Sequence, residues 1–314
     1  MGDAIATPPS EPSAHPPPQQ QQQQRPPKKK NAAAPAKKEV RILMLHGYTQ
    51  SGPLFRAKTR ALEKLLAKAL APAGLVPALL YPTAPTRLSA RDIPGFDAFR
   101  RSSGDDQQGE EGGTVEEEEM DAWAWFRHDR AAGRYKLVEE GMVSLAKGIS
   151  EWKEEGVAEG EEGGGVVDGV LGFSQGGCVA GMLAAALEEG RTTTTTTTTG
   201  EEAKEHEGWV RAVREANGGR PLKFAVVYSG FWATPADLGW LYEPKIRTPT
   251  LHVLGSLDTV VEESRSQGLV ERCEDPLVLT HPGGHYVPVN KEWVMPVAGF
   301  IKKCVESAAD ATKL

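Results

Sequence analysis

An α/β fold, with a mostly parallel central sheet and helices on both faces, follows from three features of this sequence. Short apolar runs at residues 40–45, 75–81, 166–173, 222–228 and 250–254 read as strands. Segments of helical period lie between them, and strands alternating with helices give parallel sheets covered on both faces. The third feature is the run at 166–173, which breaks into Gly172-Phe173-Ser174-Gln175-Gly176 and then a small-residue helix at 178–187. A serine on a sharp strand-to-helix turn is the context of a nucleophile elbow, and glycines on either side are needed where the two backbones approach.

In chain order, residues 1–38 are rich in Pro, Gln, Ala and Lys, with six consecutive glutamines at 19–24. Such a segment buries too little apolar surface to offset its ordering entropy and is expected to be disordered. The lysines at 28–30, 37 and 38 are compatible with nuclear import or a polyanion contact; a solvated tail is the simpler reading. A single domain is expected over residues 39–306. After the first strand, 53–70 has a helical period through Leu54, Leu62, Leu65 and Leu66. From 84 to 129 the pattern dissolves into a charged, Gly-rich insert at 104–119 and then Trp123-Ala124-Trp125-Phe126, which is expected to pack near the site. Core packing is the plain alternative for both tryptophans. Helical spacing returns over 135–152. Residues 191–219, which contain eight threonines at 192–199, read as a second low-complexity surface insert. A short strand at 277–280 and a helix over 292–305 complete the domain.

Composition narrows the function classes. The chain has 314 residues and a net charge of −7, which gives no reason to expect nucleic-acid binding, because a phosphate-binding surface normally shows as net or clustered positive charge. Three cysteines, Cys178, Cys273 and Cys304, stand at no metal-ligand spacing; they argue against a disulfide framework and for a reducing compartment. No apolar leader and no run long enough to cross a bilayer is evident, so a cytoplasmic protein, with nuclear import as an added option, is expected. Neither a phosphate-binding loop nor a dinucleotide fingerprint occurs. His46, His281 and His285 lack the spacing and the third carboxylate of a zinc site, so no metal and no cofactor are expected.

A serine hydroxyl needs a base, and the base an orienting acid. In a fold of this kind both follow the nucleophile, acid before histidine, in loops after later strands. The strand at 250–254 runs into Gly255-Ser256-Leu257-Asp258, and that at 277–280 into His281-Pro282-Gly283-Gly284-His285. His285, beyond a turn able to present it over the sheet, is preferred to His281 as base. Asp258 is preferred to Asp237 as acid, although an aspartate in such a loop is often a turn or cap residue. His252, inside a strand, reads as a core histidine. The carbonyl oxygen that becomes negative must meet preplaced donors. The backbone N–H of Gln175, at a helix N-terminus, is one, and its side chain is treated as incidental. The backbone N–H of Tyr48 is chosen as the other, with Thr49 behind it, and His46 is expected to tie their loop down.

Four blocks occur in order: residues 45–52 (LHGYTQSG), 168–177 (DGVLGFSQGG), 255–258 (GSLD) and 283–285 (GGH). Together they resemble the FSH-type family of serine hydrolases, which includes the ovarian-cancer-associated hydrolase. The second block is also similar to acyl-protein thioesterases and carboxylesterases, and residues 123–126 look like the FSH family's Trp-rich segment. The likeness runs over about residues 40–303, inserts excepted. It implies an α/β-hydrolase fold and cleavage of carboxylic esters or thioesters without metal or organic cofactor. It also implies Ser174 as nucleophile, Asp258 as acid and His285 as base. A dienelactone-type hydrolase would carry cysteine where Ser174 stands. The rival of another class is a non-catalytic receptor that keeps the same pocket for a small ligand.

Overall fold

The computed structural model describes residues 2, 37–93, 120–155, 165–193 and 201–311. The expected disordered tail, apart from Gly2, Lys37 and Lys38, lies outside those residues, as does the acidic insert at 104–119. The elements in chain order are β1 (Lys38–Leu45), α1 (Gly52–Leu70), β2 (Leu75–Leu80), β3 (Thr86–Arg87), β4 (Trp123–Ala124), β5 (Arg127–Asp129) and β6 (Arg134–Lys136). Then come α2 (Val138–Glu155), β7 (Gly169–Phe173), α3 (Gln175–Ala186), α4 (Glu201–Ala216), β8 (Phe224–Tyr228) and β9 (Thr250–Gly255). α5 (Glu263–Val270), β10 (Leu277–His281) and α6 (Lys291–Ala311) finish the chain.

The central sheet has the order β10-β9-β8-β7-β1-β2, and every neighbouring pair is parallel. β3 with β4 and β5 with β6 form two small antiparallel ribbons beside it. Because the six strands are parallel, the loops that leave their carboxyl ends gather along one edge of the sheet, where open α/β folds place their ligands.

Alternate residues of β1 enter opposite layers. Leu43 and Leu45 join the core shared with α2, α3 and α4, while Val40, Ile42 and Met44 join that of α1 and α6. Such two-sided burial is why the strands read as unbroken apolar runs. Helix α1 starts at Ser51, whose Oγ accepts from the Leu54 N–H at 3.4 Å and donates to Asp121 at 2.6 Å. Helix α3 is buried along all twelve of its residues, as its continuous apolar and small-residue sequence requires.

Three expectations change. Residues 201–216, taken as part of a surface insert, form helix α4, with Trp209 and Val213 fully buried. The insert reading weighed composition, but among the described side chains Glu207, Arg211 and Glu215 are exposed while Trp209, Val210, Val213 and Ala216 form a narrow buried apolar stripe. Arg214 of the same helix donates to the Ala186 carbonyl at 2.8 Å and the Arg191 carbonyl at 2.7 Å, so α4 grips the chain just before the threonine run. Second, the helix expected from 135 begins at Val138: residues 134–136 are in β6, and Leu137 takes a left-handed φ of 65° that separates strand from helix. Tyr135 instead stacks on Phe126 at 4.3 Å. Third, α5 was not foreseen. Its eight residues, ESRSQGLV, carry too few apolar positions to show a period.

Truncating Trp209 to Ala should lower unfolding free energy by about 3–5 kcal/mol, the usual cost of deleting a large buried aromatic. Urea denaturation measures this; a change below about 1 kcal/mol, as for a surface site, would return 201–216 to the insert reading.

Candidate active site

Gly172 is the last residue but one of strand β7, and Gly176 is the second residue of helix α3. A Cβ on Gly172 would collide with the Gly176 carbonyl oxygen, and one on Gly176 with the carbonyl oxygens of Leu45 and His46. Between them the chain has to turn in one residue, and Ser174 does so at φ 55° and ψ −116°, a left-handed conformation that a side chain adopts under strain. The turn is held by its own amide, which donates to the Tyr228 carbonyl at 2.9 Å. Serine Oγ is thereby lifted to the carboxyl edge of the sheet.

His285 Nε2 lies 2.9 Å from Ser174 Oγ, and His285 Nδ1 lies 2.8 Å from Asp258 Oδ2. An ionised carboxylate only accepts, so Nδ1 carries the proton and Nε2 is free to accept from the serine. The loops that bring these residues in are zipped together: Ser256 N–H donates to the His281 carbonyl at 2.9 Å and Leu257 N–H to that of Gly283 at 3.0 Å. Gly255 is required there, because a Cβ would meet the carbonyls of Gly283 and Gly284. Phe173 lies under the His285 ring, 4.8 Å between centroids. Burial works against charge on Asp258. The N–H of Val261, the His285 imidazole and the N–H of Val260 outweigh it and hold the carboxyl below its usual value.

Of the competing residues, Asp237 is paired elsewhere, and the histidines are buried. Asp237 Oδ2 pairs with His206 Nε2 at 3.3 Å, and His206 Nδ1 accepts from the Trp209 indole at 3.1 Å. His281 is buried against Tyr286 and Trp293. His252 is buried in β9, and burial pushes its pKa down to about 4.

In the loop after β1, Gly47 approaches the elbow so closely that a Cβ would stand 3.3 Å from that of Ser174. Thr49 N–H donates to the Trp123 carbonyl at 3.0 Å, whereas the N–H groups of Tyr48 and Gln175 are engaged by no other group among the described residues. His46 is fully buried: Nε2 accepts from Ala84 N–H at 3.0 Å, so Nδ1–H donates to the Gly47 carbonyl at 2.8 Å. Burial lowers its pKa to about 4, and with both nitrogens committed it has none to offer a metal.

Sequence reasoning overlooked the side chain of Gln175. Its Oε1 accepts from Trp125 N–H at 2.8 Å and its Nε2 donates to the Phe126 carbonyl at 2.8 Å. Trp125 is buried, and its indole donates to the His46 carbonyl at 2.9 Å, so core packing and proximity to the site are the same fact here. No local signal marked this, since the partners are about fifty residues apart. The rim of the site is apolar: Leu257, Val260 and Tyr286 are each more than half exposed on the loops that carry Asp258 and His285.

A parallel sheet with a serine on a strained turn after a central strand, and with histidine and aspartate on loops after two later strands, defines an α/β-hydrolase. The family model described as serine hydrolase (FSH1) matches residues 36–297. This chain belongs to that family. Family of serine hydrolases 2 of Saccharomyces cerevisiae is 30% identical over 267 residues, 83% of this chain and 97% of the yeast protein. Esterase OVCA2 of Danio rerio is 30% identical over 265 residues, 84% of this chain and 97% of its own. A Schizosaccharomyces pombe protein named dihydrofolate reductase is 30% identical over 254 residues, which make up 80% of this chain and 44% of that protein. The chain thus spans less than half of the S. pombe protein. Among the described residues no helix is long and apolar enough to cross a membrane.

His46 and His252 stay neutral when folded down to about pH 4, whereas in the unfolded chain they take up protons near pH 6.5. Their stabilisation is therefore complete above about pH 6.5 and is lost as pH falls towards 4, at roughly 1.4 kcal/mol per pH unit for each histidine. The lowered carboxyls, Asp258 among them, act only below their ordinary value of 3.8. His46→Gln should destabilise at pH 7 yet show a shallower loss between pH 6.5 and 5, read from urea midpoints. Parallel slopes for the two proteins would mean that His46 is not buried neutral.

Proposed function

We propose that this chain is a serine esterase or thioesterase working through an acyl-enzyme on Ser174. The observation that carries the reading is the unbroken hydrogen-bond chain from Ser174 Oγ through His285 to Asp258, with links of 2.9 and 2.8 Å. As Ser174 Oγ attacks the substrate carbonyl, its proton passes to His285 Nε2. Asp258 holds the Nδ1–H tautomer and stabilises the imidazolium that results. Negative charge gathers on the former carbonyl oxygen and is met by the N–H groups of Tyr48 and Gln175, the latter at the positive end of α3. Collapse of this intermediate expels the alcohol or thiol, which takes the proton from Nε2. Water, deprotonated by His285, then releases the acid and restores the serine. Every proton is accounted for by His285, so the cycle needs no metal or organic cofactor.

The apolar rim of Leu257, Val260 and Tyr286 suits a substrate that is itself apolar near the scissile bond. All three cysteines are buried and unpaired, which fits a reducing, cytoplasmic setting.

Ser174→Ala and His285→Ala should each lower p-nitrophenyl ester hydrolysis by at least about 10³-fold with unchanged circular dichroism, and Asp258→Asn by about 10²–10⁴-fold. A fluorophosphonate probe should label the wild type and not Ser174→Ala. Hydrolysis that survives Ser174→Ala would overturn the mechanism; a folded wild type that resists the probe would support a receptor. A parallel panel of acyl thioesters separates the two substrate classes.

A further inference from the structure

The two oxyanion donors sit on different elements. Tyr48 belongs to the loop after β1 and Gln175 to the first turn of α3. The strand register, with Leu45 opposite Gly172, aligns β1 with β7 but stops short of Tyr48. What spans the gap is the segment 123–126. On the β1 side it accepts from Thr49 N–H through the Trp123 carbonyl at 3.0 Å, and its Trp125 indole donates to the His46 carbonyl at 2.9 Å. On the α3 side, Trp125 N–H and the Phe126 carbonyl are both held by the Gln175 amide at 2.8 Å. Behind the segment, helix α2 offers Gly141, where a Cβ would collide with the Trp125 carbonyl oxygen.

We propose that the Gln175 side chain is a positioning residue: by clamping 123–126 to α3, it sets the distance between the two N–H groups that receive the oxyanion. The proposal rests on the acyl-enzyme reading. One residue then supplies a donor from its backbone and fixes the opposing donor through its side chain. Only an amide of this length does both jobs, because the clamp needs one acceptor for Trp125 N–H and one donor for the Phe126 carbonyl. A methionine of similar reach offers neither. An ionised glutamate offers only the acceptor and sets a carboxylate against a carbonyl. Loss of a whole oxyanion donor costs about 10²–10³-fold in kcat, so loss of alignment by a few tenths of an ångström should cost less.

The test compares the wild type with Gln175→Met and Gln175→Glu, each normalised to active sites titrated to completion with a fluorophosphonate. Gln175→Met should lower kcat by about tenfold to a hundredfold and leave KM within about twofold, because the donors act on the transition state and not on the bound ester. Thionoesters supply the distinguishing readout. Sulfur is a poor acceptor, so the oxoester-to-thionoester ratio of kcat reports how well the donors are aimed. That ratio should be about tenfold smaller in Gln175→Met than in the wild type. Gln175→Glu should approach wild-type kcat at low pH, where a protonated carboxyl both accepts and donates, and fall away from it as pH rises. This second variant also decides the matter if Gln175→Met fails to fold. A wild-type kcat per titrated site overturns the proposal. So does a lowered kcat with an unchanged oxoester-to-thionoester ratio, which marks a structural role only, or a Gln175→Glu to wild-type ratio that is flat with pH. Full hydrolysis by Ser174→Ala would instead bring down the acyl-enzyme reading itself.

Discussion

The contact between the end of β7 and the start of α3 sets terms for the rest of the molecule. Two backbones and the end of β1 converge where neither Gly172 nor Gly176 leaves room for a single methyl group. To make that approach the chain must place Ser174 in a left-handed conformation, and such strain persists only where the surroundings over-determine it. The surroundings do so. Helix α3 is enclosed by protein along its whole length, β7 is flanked by β1 and β8, and the Ser174 amide is taken by Tyr228.

From that fixed point the geometry of the site follows by adjacency. β1 lies beside β7, so the loop after it passes within van der Waals reach of the serine, and Gly47 is small enough to allow it. β8, β9 and β10 continue on the other side, so loops from two later strands arrive at the same edge. Those two loops are not independent carriers. Backbone hydrogen bonds and the absence of a side chain at Gly255 lock one onto the other, which fixes Asp258 relative to His285 before either meets Ser174.

Burial sorts the remaining polar groups into roles. His46 is sealed between backbone groups and kept neutral, and works as a tie for the β1 loop. Asp237 is drawn into a pair with His206, on the helix that composition had marked as surface. Glu188 and Arg191 form a further buried pair at the end of the α3 segment, where Arg191 donates to the carbonyls of Trp240, Leu241, Pro244 and Lys245. Buried charge of this kind is tolerated because nearly every donor has an acceptor.

Most of the scaffold was legible from the residues themselves. Runs such as Ile42-Leu43-Met44-Leu45 have to be covered on both faces, and a Gly-x-Ser-x-Gly turn between an apolar run and a small-residue helix has one economical backbone path. The order serine, aspartate, histidine could also be read, because each residue follows its own strand, Ser174 at once and Asp258 and His285 within four residues. What could not be read depends on contacts between distant segments. Helix α4 was hidden because one apolar stripe is diluted by charge, and only packing against α2 and Trp240 reveals Trp209 as core. The left-handed Leu137 and the short α5 leave no periodic trace. The clamp of Gln175 on Trp125 and Phe126 is a tertiary fact of the same kind: local sequence places its backbone N–H at the start of α3, but its amide acquires two partners only when a segment fifty residues away is folded over the elbow. Local sterics decide turns and strands within a few residues; hydrogen-bond partners across the chain are decided by which surfaces the finished core brings together.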